Sequence, residues 1–250
     1  MVFLLECCIA FGFELCYNTR MTYKNILEAT FISRPNRFIA EIEVGGIRHL
    51  AHVKNTGRCK ELLIPNTPVY VEQNDNPDRK TKFSLISVYK GDRLINMDSQ
   101  APNKVFLEHL QADGFADFSG ITHIKTESKF GNSRLDIYAE AGGRRAFFEV
   151  KGVTLETDGV AKFPDAPTQR GIKHLQELEK AIIAGYEAFI IFVIQMDCIS
   201  HFTPNHQTHP EFAMALAHAM SNGVNAHALT CKITNNSIKI NNFVEVKMPK

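Results

Sequence analysis

Residues 132–151, NSRLDIYAEAGGRRAFFEVK, leave a chain few ways to fold. Gly142-Gly143 is a two-residue hairpin signal, because both central positions of the tight turn need positive φ. With those glycines at the tip, opposed residues carry numbers that sum to 285. Asp136 then faces Glu149, Arg134 faces Lys151 and Tyr138 faces Phe147. Side chains alternate along a strand, so these six share one face. The other face holds Leu135, Ile137, Ala139, Ala146, Phe148 and Val150, all apolar. A slip of one residue would turn that apolar set outward, so the register is well specified.

Two carboxylates set opposite each other repel, and a pair held so needs a compensating cation. Mg2+, or Mn2+ in its place, takes oxygen ligands and keeps several waters, which suits two carboxylates plus phosphate oxygens. Lys151 would stand beside the ion, to position or deprotonate an attacking water or to stabilise a charged transition state. The plain alternative is a solvated hairpin whose Arg134, Lys151 and two acids neutralise one another.

The rest of the chain supplies a frame for this hairpin. FIAEIEV (38–44), a Gly45-Gly46 turn, IRHLAHV (47–53), PVYVEQ (68–73) and SLISVYK (84–90) read as short strands of a small barrel of the oligonucleotide/oligosaccharide-binding (OB) kind. Beyond residues 98–102 strands alternate with helices, expected at 104–113, 168–184 and 211–221, with a buried strand at 187–195. The fold class is mixed α/β: an OB-like barrel over 21–98, then an α/β layer domain over 99–250. Residues 1–20 are apolar but interrupted by Glu6 and Glu14, without a basic leader or cleavage site. They read as an upstream extension ahead of Met21, with a short interfacial anchor as the rival, rather than a membrane span or secretory signal.

Lys and Arg number 28 against 27 Asp and Glu, so bulk charge neither favours nor excludes nucleic acid, and any basic surface must be local. Arg34, Arg37, Lys54, Arg58 and Lys60 cluster in and beside the barrel strands near Phe38, as a single-strand groove with an aromatic platform requires. Arg79 and Lys80 in the 74–82 loop, and Arg134 on the hairpin, are further phosphate candidates. His201, His206 and His209 are broken up by prolines and lack a fourth ligand at zinc spacing, so that segment reads as a loop. Six cysteines without a CxxC pair suggest a reducing, cytoplasmic setting, with Cys59 and Cys198 as small core residues.

The spacing Asp136, Glu149-x-Lys151 resembles the PD-(D/E)xK nuclease motif, a short pattern on its own. The surrounding words are more specific: RPNRFIAEI, HVKNTGRCKELLIP, NPDRKTKFSLI, DSQAPN, SKFGNSRLDIY, EVKGVTLE and AKFPDAPTQRGIKHLQEL resemble, in order, the sugar fermentation stimulation protein A family. The resemblance runs from about Ser33 to the C-terminus. It implies an OB-like domain followed by a PD-(D/E)xK nuclease-like domain, with DNA binding as the associated property. Asp136, Glu149 and Lys151 match its motif residue by residue. It also implies an acid on the preceding helix as a third metal ligand, for which Glu108 stands first and Glu127 second. Gln169 and Lys173, sharing a face of the 168–184 helix, would hold phosphate or water.

The expected function is therefore a Mg2+-dependent phosphodiesterase acting on DNA or RNA. The alternative is a DNA-binding regulator, linked to sugar metabolism, that keeps the fold without cutting.

Overall fold

The computed structural model describes residues 20–249 except Thr56 and Asp117. The expectation for the upstream extension, and Cys7, Cys8 and Cys16, lie outside them. The first part of the described chain comprises β1 (Met21–Thr22), β2 (Ile26–Asn36), β3 (Ile39–Val44), β4 (Ile47–Val53), β5 (Pro68–Gln73), β6 (Phe83–Lys90) and β7 (Arg93–Asn96). Strands β2 to β6 run in the order β4-β3-β2-β5-β6, and β4 closes the ring by pairing parallel with β6 at Ala51–Phe83 through Val53–Leu85. The result is an OB-like barrel. Its interior is filled by the alternate residues Ala40, Ile42, Ala51, Val53, Val69, Val71 and Leu85, all buried. At the Gly45-Gly46 turn Val44 pairs with Ile47, as the glycine pair requires.

The second part comprises α1 (Ala101–Asp113), β8 (Ile121–Phe130), β9 (Ser133–Ala141), β10 (Arg144–Val153), β11 (Leu155–Thr157), β12 (Val160–Phe163), α2 (Gln169–Ile183), β13 (Glu187–Ile194), β14 (His201–Pro204), α3 (Pro210–Ser221), β15 (Asn225–Ile233) and β16 (Ser237–Val246). The strands form one sheet ordered β11-β12-β14-β16-β15-β13-β10-β9-β8. β1 adds to β16, so Met21 and Thr22 belong to this sheet and not to the barrel. β13 runs parallel to both β10 and β15 and is buried from Ala188 to Ile194, which explains its continuous apolar run. Val105, Phe106 and Leu110 of α1 pack on one face with Ile137, Phe148 and Phe189. Leu175 and Leu178 of α2 and Leu216 of α3 pack on the other with Phe147, Ile190 and Phe192. Glu149 and Lys151 sit on β10 at the centre of these layers.

Three local expectations need correction. Helix α1 begins at Ala101, earlier than position 104, because Pro102 suits a first turn that has no N–H partner to lose. The segment around His201 is not a loop: His201–Pro204 forms β14 between β12 and β16, where neighbouring strands supply partners that its own pattern does not announce. Cys198 is exposed at a positive-φ turn (58°), whereas Cys59 is buried as expected.

The two parts are tied together directly. Lys90 and Arg93 of the barrel hairpin hold Glu156 of β11 at 2.6 and 2.9 Å. Gln195 donates from Nε2 to Asn96 and Asp98. Among the described residues no helix is long and apolar enough to cross a membrane.

Candidate active site

The β9–β10 ladder has the expected register, from Ala141–Arg144 to Ile137–Phe148, and then stops. Beyond it β10 continues along β13 to Val153 while β9 continues along β8 to Ser133. The two strands part, and the gap is bridged by a side chain: Val150 N–H donates to Oδ2 of Asp136 at 2.8 Å. Oδ1 of Asp136 accepts from Nδ2 of Asn103 on α1 at 2.9 Å. Arg134, expected opposite Lys151, instead pairs with Lys129 on β8 and is exposed, with its guanidinium 4.0 Å from Glu127. The parting of the strands removes the hairpin geometry on which that expectation rested.

Glu149 is 1% exposed and points toward α2. Its Oε1 meets Nζ of Lys151 at 2.5 Å and Nδ1 of His174, while Oε2 is buried without a partner. Lys151 Nζ also lies 3.1 Å from His174 Nδ1. Arg170 Nε–H donates to His174 Nε2 at 3.3 Å. A carboxylate can only accept, so His174 Nδ1 carries the proton that faces Glu149. Thr168 caps α2 by accepting from Gly171 N at 3.0 Å, which sets where the helix begins and so which face carries His174 inward.

The two acids differ in charge preference. Burial, then the charge of Glu149, pushes the Asp136 carboxyl above its ordinary range, against the opposing Val150 N–H, Lys151 and Asn103. Burial pushes Glu149 up as well, but the contacts from His174 and Lys151 outweigh it and leave that carboxyl lowered.

Several expected residues stand elsewhere. On α1 it is Asn103 that reaches Asp136. Glu108, five positions on, is turned about 140° around the helix and displaced about 7.5 Å along it. Its Oε2 is buried without a partner, and burial raises its pKa. Among the described residues no three His, Cys, Asp or Glu side chains are arranged to hold a metal ion by themselves. Gln169 and Lys173 are exposed, and Lys173 Nζ donates to the Asn132 carbonyl at 3.3 Å. His174, in the neighbouring helical stripe, makes the contact instead. Its position four residues after Arg170 was the one signal for it, and Asn103 had none beyond its place early in α1.

The basic cluster divides in two. Arg34 spends its guanidinium on the carbonyls of Gly57, Arg58, Arg37 and Asn55, at 2.7 to 2.9 Å. Lys54 is paired with the fully buried Asp98 at 2.6 Å. Arg37, Arg58, Lys60 and Lys80 are exposed, and Arg79 is tethered to Asn74 and Ser84.

The model of the SfsA N-terminal OB domain matches residues 32–97, and that of the sugar fermentation stimulation protein RE domain matches residues 100–237. A sugar fermentation stimulation protein homolog of Desulfitobacterium hafniense (strain Y51) is 56% identical over 228 residues, covering 91% of this chain and 99% of that protein. One from Clostridium beijerinckii is 55% identical over 226 residues, covering 90% and 99%. The solved structure of Pyrococcus furiosus SfsA in complex with Ca2+ superposes with a TM-score of 0.83 at 27% identity, covering 91% of this chain and 98% of that one. This chain therefore belongs to the sugar fermentation stimulation protein family, in which an OB-like domain precedes a PD-(D/E)xK-like domain.

Proposed function

We propose that the protein is a divalent-cation-dependent phosphodiesterase acting on nucleic acid, with Mg2+ or Mn2+ held by Asp136 and Glu149. The observation that carries this reading is the Oε2 of Glu149, buried and unpartnered while Oε1 is held by Lys151 and His174. A buried carboxylate oxygen left without a donor costs free energy unless something positive meets it. Asp136, held nearby with a raised pKa, is the second acid short of positive charge. Mg2+ takes hard oxygen donors and keeps several waters, so two carboxylates plus phosphate oxygens suit it. The Pyrococcus furiosus relative, solved with Ca2+, supports a cation of that kind.

When bound, the ion would polarise a phosphate and acidify a water. The protein's own residues have distinct tasks. Asn103 and the Val150 N–H fix Asp136, and His174 fixes Glu149 so that Oε2 stays available. Lys151, 13% exposed, brings a positive charge to where the attacked phosphate becomes more negative. Glu108 takes no part in this reading.

The test is cleavage of single- and double-stranded DNA and RNA in Mg2+ or Mn2+, comparing wild type with Glu149→Gln. Cleavage by wild type alone supports the proposal. No product from wild type, with salt-sensitive binding retained, favours the second reading, a DNA-binding protein that does not cut. The amide of Asn103, set against Asp136 where an acid was expected, is the observation on that side.

A further inference from the structure

The barrel and the second domain meet along a cationic cleft of about 520 Å3, lined by Arg37, Arg58 and Lys60 over a floor that includes Leu63 and Ala166. We propose that this seam cleft binds a single strand of nucleic acid and leads it to Asp136 and Glu149. The destination rests on the phosphodiesterase reading; the binding does not.

The wall of the cleft is built in advance. Arg34 gathers four carbonyls from the loop 55–58 and from Arg37, and Lys54 anchors the start of that loop on Asp98. Two cations are thus used to hold the others in place, leaving the exposed Arg37, Arg58 and Lys60 to meet phosphates. Beside them Phe38 is 47% exposed, with the Arg37 guanidinium 5.1 Å from its ring centre. Cations tracking a backbone, with a ring and an apolar floor for base faces, are the requirements of single-strand binding. A duplex keeps its bases stacked inside and could only lay phosphates across the mouth.

A short run of chain links the cleft to His174, which contacts Glu149. Gly57 sits so close to Asp165 that a Cβ there would lie 2.2 Å from its Oδ2, so the barrel loop rests directly on the segment leading into α2. From Ala166 two residues of chain reach Thr168, and less than two helical turns reach His174. The whole path is at most about 16 Å. Arg170, exposed on the first turn, lies on the way.

The outer face of the barrel is a poorer candidate. OB folds commonly bind oligonucleotides across the second and third barrel strands, which here are β3 and β4. That face presents Glu41 and Glu43, paired with Leu50 and Arg48, so acids stand where phosphates would pass.

The experiment measures binding of a labelled oligothymidylate, a single-stranded RNA and a DNA duplex by metal-free protein over a range of salt. Wild type is compared with Arg58→Glu/Lys60→Glu and with Arg79→Glu/Lys80→Glu, after thermal unfolding shows each variant folded. We expect the seam variant to lose at least about tenfold in single-strand affinity, and its salt slope to fall by about 0.7 for each phosphate it no longer neutralises. The loop variant should stay close to wild type, and wild type should prefer a single strand to the duplex. Unchanged single-strand binding by the seam variant, a larger loss in the loop variant, or a preference for duplex would each overturn the proposal. Because no metal is present, a protein that never cuts but loses strand binding on seam reversal would sink the phosphodiesterase reading and leave this one standing.

Discussion

The backbone N–H of Val150 ends on the carboxylate of Asp136, 2.8 Å away, where a ladder bond to the main chain of β9 would otherwise lie. The acid is thus part of the sheet as well as part of the site. Its side chain fills the gap opened when β9 follows β8 and β10 follows β13.

Replacing Asp136 with Ala should therefore cost stability and not only function. Val150 is 5% exposed, and its N–H would be left without a partner, a penalty of about 1–3 kcal/mol. In a protein this size that lowers the melting temperature by several degrees, at roughly 2–4 °C per kcal/mol. Asp136→Asn keeps an acceptor oxygen and should melt closer to wild type, yet bind Ca2+ much more weakly. Differential scanning calorimetry and a Ca2+ titration separate the two effects; equal melting of the Ala variant and wild type would show that the N–H is not held by Asp136.

Much of this arrangement was legible in the chain and some could not be. The register around Gly142-Gly143 follows from two positive-φ residues and one apolar face, both local properties. The parting of the strands beyond Phe148 is not local, since it depends on which neighbours β9 and β10 keep. Asn103 and His174 come from helices whose rotation is set by packing against the sheet, so neither the resemblance, which pointed to Glu108, nor the helix face shared by Gln169 and Lys173 named them. Arg34 and Lys54 look like any surface cation in one dimension. Only the fold reveals that both are consumed by backbone carbonyls and a buried acid.

Lys151→Met should separate holding the ion from using it. The ammonium shares Glu149 Oε1 with His174, and Oε2 remains available without it. Ca2+ binding should persist, while cleavage in Mg2+ falls by about 100- to 1,000-fold, as for other donors aimed at developing negative charge. Full cleavage by the Met variant would remove Lys151 from the chemistry.

His174→Ala should weaken Ca2+ binding by about 10- to 100-fold, the usual consequence of removing a group that orients a ligand. Without the ring, Glu149 can swing Oε2 toward Lys151. Gln at this position can still donate to Oε1 and should recover part of the affinity. Calorimetric titration with Ca2+ reads this directly, and a Gln variant no better than Ala would point to packing rather than to the hydrogen bond.

The seam between the domains should show in acid. Burial pushes Glu156 up, but Lys90, the Gly159 N–H and Arg93 pull its carboxyl down from 4.5 to about 2. A lowered carboxylate stabilises the folded state above its unfolded pKa, and that contribution is lost as pH falls from about 4.5 to about 2. Glu156→Gln should therefore be less stable than wild type at neutral pH, with the difference shrinking through that window. Urea unfolding at a series of pH values checks the sign; a difference that grows on acidification would contradict it.

Gly152, immediately after Lys151, is held to glycine by what presses against it. A Cβ there would lie 2.7 Å from Cγ of Pro102 and 2.8 Å from Oε1 of Gln195. Pro102 sits in a rigid ring on the first turn of α1, and Gln195 is engaged with Asn96 and Asp98, so neither can give way freely. Gly152→Ala should push the start of α1 off the sheet, costing about 1–3 kcal/mol as overpacking does. Asn103 is the next residue after Pro102, so the same shift pulls its amide from Asp136 and should weaken Ca2+ binding. Asn103→Ala in the otherwise native chain supplies the comparison, removing the amide without moving the helix. If Gly152→Ala lowers the melting temperature but leaves Ca2+ affinity at the wild-type value while Asn103→Ala reduces it, the helix start is not what positions the acid.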